Sequence, residues 1–233
     1  LFANKGKKVV LYDKDQNHIK KINDLKMPFM EDGGLKLLKK NKARIFATTD
    51  KRYIKGAKII IVCIGTPVKK NKPNLVYFFK MFREVKQFLN HKNLLVIRSS
   101  IYPGTCLKIQ KYLGAKFNNI SYCPERVVQG KSIVELPKLP QIVSGVSQKS
   151  IKQSQKLFKL ICRKTIVTSI LEAELIKLFS NAWRYINFSI SNQFYTICET
   201  FGINFKQLRN NMIEGYERNK SLPKAGFAAG PCL

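Results

Sequence analysis

Acidic residues are scarce in this chain: 14 Asp and Glu stand against 43 Lys and Arg over 233 residues, a formal charge of +29. Such an excess raises the question of nucleic acid. The lysines, however, run through every segment, with no single long basic block and no arginine–aromatic motif of a known reader. That dispersal fits lysine-coated solvated faces and argues against a dedicated nucleic-acid partner. The same positive field attracts anionic ligands such as dinucleotides.

Histidine is scarcer still, with only His18 and His91. Neither adjoins a cysteine. The six cysteines, Cys63, Cys106, Cys123, Cys162, Cys198 and Cys232, form no Cys-x-x-Cys pair, so the donor set of a structural zinc site is missing. No metal is expected. The scattered thiols fit a reducing cytoplasm better than a disulfide framework. Chemistry built on a catalytic histidine has little to draw on. Long apolar runs are also lacking: Lys58 to Gly65 is strand-sized, well short of the roughly 18 residues that cross a membrane. No apolar stretch follows the charges of residues 1–8, so no signal peptide is expected. The first residue is not Met, Leu1 to Gly6 reads as the end of a helix, and the last residues stop inside a glycine-rich loop. Both ends therefore read as those of a fragment.

What is present supports a packed fold, because 45% of the residues are hydrophobic. Short apolar runs alternate with amphipathic segments. Strands are expected at Lys7–Tyr12, Ala43–Thr48, Ala57–Ile64, Asn93–Ile97, Ile120–Tyr122, Gln141–Val143 and Lys164–Val167. Helices are expected at Gln16–Leu25, Tyr77–Leu89, Thr105–Leu113 and Gln148–Ile161. This alternation predicts an α/β domain with a parallel sheet covered on both faces, over residues 1–168. The character changes at residue 169. Leu171 to Phe201 contains no Gly or Pro. Its stripe of Leu171, Leu175, Leu178, Ala182, Ile186, Ile190, Phe194 and Cys198 predicts one long helix, ended by Gly202. Asn204 is positioned to cap a further helix. Such a long helix is suited to a dimer interface or to burial within a monomer.

Several strand ends carry residues able to do chemistry. Asp13 ends the first strand, where an acidic side chain in a dinucleotide-binding fold accepts hydrogen bonds from ribose hydroxyls; the alternative is a cap for the next helix. The glycine fingerprint that usually accompanies such an Asp would lie about 20 residues earlier, before Leu1. Gly65 and Thr66 follow a buried strand and suit close approach to phosphate or ribose, or a plain turn. Ser99 and Ser100 end the next strand in the same way. Glu125 presents a carboxylate to the ligand side of the sheet, or forms a loop ion pair with Arg126 or a lysine. Lys177 and Asn181 share a helix face. They can stabilise a developing oxyanion, or lie on a solvated flank with Glu174 paired to Lys177. Cys232 sits in a Gly/Ala loop where backbone and ligand can approach closely, and cationic neighbours would make it a nucleophile. The other five cysteines read as small buried hydrophobes.

In order along the chain, Asp13, ATTD (47–50), IGTP (64–67), RSSIYPGT (98–105), YCPERVVQG (122–130), EAELIKLFSNAWRYIN (172–187) and GFAAGPC (226–232) resemble the UDP-glucose/GDP-mannose dehydrogenase family. Family members oxidise the C6 alcohol of a nucleotide sugar to a carboxylate with two NAD+. The resemblance implies a Rossmann-like doubly wound sheet without its first strand and glycine loop. It implies that a helical central domain begins at 169–233 and forms a homodimer through the long helix. Cys232 would add to the aldehyde as a thiolate. Lys177 and Asn181 would stabilise the C6 oxygen, Glu125 would serve as the base for water or as an acid-base partner, and Ser100 would position that water where the family usually has Thr. Asp13, Thr66, Ser100 and Glu125 would border NAD. The family's Asp shortly after the catalytic Cys and its C-terminal nucleotide-binding domain have no counterpart in these residues. Two other readings stay open: a related hydroxyacid dehydrogenase, which shares the Lys/Asn helix but needs no such Cys, and a basic nucleic-acid-binding protein.

Overall fold

A computed structural model describes residues 1–66 and 75–227 in full, and the backbone of 68–69 and 72–73. The elements, in chain order, are β1 (Val9–Tyr12), α1 (Gln16–Asn23), α2 (Gly34–Lys40), β2 (Ile45–Thr48) and β3 (Ile59–Val62). The short β4 (Val68–Lys69) and β5 (Lys72–Pro73) form a hairpin, followed by α3 (Val76–Val85), β6 (Leu94–Ile97), α4 (Thr105–Leu113) and β7 (Ile120–Tyr122). Then come α5 (Ser132–Glu135), β8 (Gln141–Gly145), α6 (Gln148–Phe158), β9 (Thr165–Val167), α7 (Ile170–Thr200) and α8 (Phe205–Ile213). The chain forms two compact units, Leu1–Leu175 and Ile176–Leu233.

The first unit is built on β6. All four of its residues, Leu94 to Ile97, are buried. A strand apolar on both faces must be covered on both, as in a parallel sheet with helices on either side. Leu94 and Val96 join Leu157, Phe158 and Ile161 in one cluster, with Leu1 and Phe2 packed against it. Alternation turns Leu95 and Ile97 to the opposite face. In α3, Phe78, Phe82 and Val85 recur at helical spacing and are buried, and the rings of Phe78 and Phe82 meet edge to face at 5.3 Å. Burying each ring contributes about 1.5–3 kcal/mol.

The five-stranded sheet runs β3-β6-β7-β8-β9, while β1 and β2 pair in parallel as a separate sheet. With β1 and β2 as second and third strands and β3, β6 and β7 as fourth to sixth, this is the order of a doubly wound dinucleotide fold; its first strand has no counterpart among the described residues. One connection departs from the expected parallel pattern, because β8 runs antiparallel to β7. The only helix in that link is the single turn α5. A parallel crossover needs a helix long enough to carry the chain back across the sheet, and four residues are too few.

α7 starts with a reciprocal cap. Ser169 Oγ accepts from Glu172 N at 3.3 Å, while Glu172 Oε2 accepts from Ser169 N at 2.9 Å and from the Thr168 hydroxyl. Glu174, two residues on, is fully buried rather than on a solvated flank. Its two oxygens accept from Gly104 N (2.5 Å) and Cys106 N (2.9 Å), capping the start of α4 with a negative charge. Gly104 holds a φ of +83° there, which favours glycine. Later in α7, the stripe read as apolar is solvent-facing at Ile186, Ile190 and Phe194. Among the described residues no helix is long and apolar enough to cross a membrane, and no cluster of His, Cys, Asp and Glu could hold a metal ion.

The cysteines divide differently from the sequence reading. Cys106, Cys123, Cys162 and Cys198 are buried, but Cys63 is exposed at the end of β3. Burial pushes the Cys123 thiol up to about 12. Burial, followed by the nearby Glu174 carboxylate, raises Cys106 as well. Native alkylation at neutral pH, read by peptide mass spectrometry, should therefore leave these four unlabelled until the protein is unfolded. Early labelling of Cys106 or Cys123 would contradict this packing.

Hydrogen bonds from the Thr168 hydroxyl and then from Ser169 hold the Glu172 carboxyl down to about 2, from 4.5. A depressed folded-state value means that the cap stabilises fully above about pH 4.5 and is lost as pH falls toward 2. Urea midpoints measured across that window should fall less steeply for Glu172→Gln than for the parent. Parallel acid limbs would show that the cap contributes nothing.

Candidate active site

Three neighbouring parallel strands end together. Val62, Ile97 and Tyr122 stand abreast in β3, β6 and β7. Thr66, Ser100 and Glu125 follow those strand ends by four, three and three residues. All three therefore emerge at the carboxyl edge of one sheet, where open α/β sheets bind ligands. The Thr66 hydroxyl donates to the Ser100 carbonyl, tying the IGTP turn to the RSS turn. Among the described residues, a Cβ added at Gly65 would meet nothing within 4 Å, so the backbone there is open to close approach.

Glu125 is held more firmly than a loop ion pair. Its Oε2 pairs with Nη2 of Arg98, and its Oε1 accepts from Arg126 N at 2.9 Å and Val127 N at 3.1 Å. The partner is Arg98, not Arg126, whose guanidinium instead donates to the Pro140 carbonyl. Arg98 follows β6 directly, in phase with Leu94 and Val96, and its side chain reaches Phe158 of the cluster under the sheet. Its side chain is 8% exposed, against 35% for Glu125. Its guanidinium lies 4.8 Å from the Phe158 ring centre and donates from Nη1 to Gln141 Oε1 at 3.0 Å. The sequence reading took the two serines from RSSIYPGT and passed over this arginine. The available signal was a charged residue closing a wholly apolar strand.

Asp13 does not cap α1; that role falls to Asp15. The Asp13 Oδ1 accepts from Asp15 N at 3.0 Å, which shapes the turn into α1. The Asp13 side chain stays 54% exposed, so acceptor capacity remains for ribose hydroxyls. His18 faces both acids, 3.9 Å from Asp13 and 3.7 Å from Asp15. In the ATTD motif, Asp50 caps the 3-10 turn that follows, accepting from Arg52 N at 2.9 Å. The residues at these strand ends thus fit a dinucleotide: an exposed carboxylate after β1 and an open Gly-Thr turn after β3.

In the second unit, Lys177 and Asn181 are half-buried, one turn apart on α7. Further along, α7 fastens the chain that leads into the glycine-rich loop. The Ser191 hydroxyl donates to the Pro223 carbonyl at 2.9 Å. Asn192 pairs with both backbone groups of Gly226, at 2.9 and 2.8 Å. Arg209 on α8 donates twice to the Leu222 carbonyl. Cys232 lies outside the described residues, and so does Pro67 of the IGTP motif.

Comparison with known proteins agrees with this arrangement. The NAD binding domain of the UDP-glucose/GDP-mannose dehydrogenase family matches residues 1–162, and the central domain of that family matches residues 171–233. The UDP-N-acetyl-D-mannosamine dehydrogenase of Methanococcus maripaludis is 31% identical over 212 residues, covering 88% of this chain and 49% of that protein. The enzyme of the same name from Campylobacter jejuni is 28% identical over 231 residues, covering 89% and 55%. Among solved structures, a UDP-D-ManNAc dehydrogenase from Pyrococcus horikoshii superposes with a TM-score of 0.88 at 27% identity, over 97% of this chain and 56% of that one. The chain therefore spans about half the length of the relatives it matches. On these matches and on the strand-end geometry, the chain belongs to the UDP-glucose/GDP-mannose dehydrogenase family, whose members are NAD-dependent nucleotide-sugar dehydrogenases.

Proposed function

We propose that this chain carries the NAD-binding and central parts of an enzyme that oxidises C6 of a UDP-N-acetylhexosamine to the uronic acid. The observation that carries the reading is the shared edge of β3, β6 and β7, from which Thr66, Ser100 and Glu125 all emerge in a chain whose residues 1–162 match the family's NAD binding domain. The names of the relatives, UDP-N-acetyl-D-mannosamine dehydrogenases, favour the N-acetylmannosamine form of the substrate. In this reading residues 1–168 hold the dinucleotide and residues 169–233 begin the central helical domain.

Asp13 and Thr66 would hold NAD, with Ser100 and Glu125 bordering it. NAD supplies the hydride acceptor for each of two oxidations. The residues supply the rest. Lys177 and Asn181 stabilise negative charge on the C6 oxygen as the alcohol loses its proton. An aldehyde has no hydroxyl-bearing carbon to give up a second hydride, so the Cys232 thiolate adds to it and forms a thiohemiacetal. Loss of the second hydride to NAD and of the thiohemiacetal hydroxyl proton to solvent would leave a thioester. Glu125 takes a proton from water, Ser100 orients that water, and hydrolysis frees the acid and the thiol.

α7 also supplies a dimer surface in this reading. Phe179, Trp183, Ile186, Ile190, Phe194, Ile197 and Phe201 recur every three or four residues along the helix, and all are exposed. Trp183 is 66% and Phe201 74% exposed. A continuous apolar helix face of this kind marks a protein–protein contact, and a second copy of the helix offers a matching stripe.

Two measurements test the reading. The protein encoded by the whole reading frame, offered NAD+ and a panel of UDP- and GDP-sugars, should release NADH fastest with a UDP-N-acetylhexosamine. Cys232→Ser should lower acid formation by about 10³-fold or more. NADH from none of the sugars, or undiminished acid from the variant, would contradict it. By light scattering the parent protein should have the mass of a dimer, and Trp183→Glu with Phe194→Glu should shift it to monomer; unchanged mass in the double variant would remove α7 as the interface.

A further inference from the structure

We propose that Arg98 is the positioning residue for Glu125, a role that rests on the reading of Glu125 as the base for water. A carboxylate on a loop rotates freely and offers about four lone-pair directions. Here three are occupied: Arg98 Nη2 on Oε2, and the N–H groups of Arg126 and Val127 on Oε1. Roughly one direction is left for a reacting group.

The arginine cannot follow if the carboxylate swings. Its Nη1 is bound to Gln141 Oε1, and its guanidinium lies over the Phe158 ring. Gln141 is itself fixed by its amide, which donates to the carbonyls of Pro124 (3.1 Å) and Ile142 (2.8 Å). The same residue thus grips the backbone just before Glu125 and the cation that pairs with it. The residue after β6 is Arg98, β8 supplies Gln141, and the turn after β7 supplies Glu125, so the ends of three strands set the angle of one carboxylate. A guanidinium is needed, because a lysine ammonium is a compact point charge that cannot span Gln141 and Glu125 with a planar fork. Orienting a base before reaction removes rotational freedom from the step it catalyses.

The test uses the protein encoded by the whole reading frame, with Arg98→Gln, Arg98→Lys, Glu125→Gln and the Arg98→Gln/Glu125→Gln pair. For each, kcat, both KM values and the melting temperature are measured. Arg98→Gln should lower kcat about 10- to 100-fold while the KM values for NAD+ and sugar stay within about threefold. Arg98→Lys should recover part of that loss. In the double variant kcat should be no lower than in Glu125→Gln alone, because the arginine acts only through the carboxylate. If Arg98→Gln does not fold, Arg98→Lys takes its place in the same cycle. Additive losses, or a kcat within about twofold of the parent in a folded Arg98 variant, would overturn the proposal. A parent protein that releases no NADH overturns the functional reading and the positioning role together, whereas parental turnover with additive losses overturns the positioning role alone.

Discussion

The lateral register of β3, β6 and β7 is the constraint on which the rest of the first unit depends. Pairing Val62 with Ile97 and Ile97 with Tyr122 leaves the three strands ending at one level. β6 in the middle is apolar on both faces, so it is stable only while helices cover both sides. Loss of register by one residue would turn Leu94 and Val96 away from α6 and carry Arg98 out of reach of Phe158 and Gln141. Packing and chemistry are therefore set by the same pairing: the side chains that fill the core fix the level at which Thr66, Ser100 and Glu125 leave the sheet.

Two buried charges then attach loops to this frame in opposite ways. Glu174, the fifth residue of α7, binds backbone N–H groups at the start of α4 and so pins the loop that follows Ser100. Arg98 is paired to Glu125 and lies over an aromatic ring. Neither charge is left without a partner, which is the condition for keeping a charge inside a fold. In the second unit the corresponding bonds from α7 come from neutral side chains, alongside those of the Arg209 guanidinium on α8 to the Leu222 carbonyl. Ser191 and Asn192 hold Pro223 and Gly226 by hydrogen bonds to backbone, six residues before the thiol in the sequence.

Much of this was legible in the sequence. The helical period of Thr105–Leu113 and of the stretch ended by Gly202, and the Ile-rich run after Lys58, reported their elements directly, because local pattern alone decides them. Asn204 capped α8 as its side chain requires. What the sequence did not show depends on long-range partners. The reversed direction of β8 follows from how the 123–140 link travels, not from the apolar character of Gln141–Val143. The burial of Glu174 depends on a loop 70 residues away. The exposure of Cys63 depends on where β3 stops. Arg98 looked like one basic residue among 43. Only the fold brings it against Gln141 and Phe158, 43 residues and 60 residues further on.

The central claim is that these strand ends serve an alcohol-to-acid oxidation carried out at one site. It is tested most directly by the ratio of NADH formed to uronic acid formed by the protein encoded by the whole reading frame, followed to completion with limiting UDP-N-acetylmannosamine. The account predicts two NADH per acid, with no free aldehyde accumulating. One NADH per sugar, with the aldehyde as the end product, would contradict it.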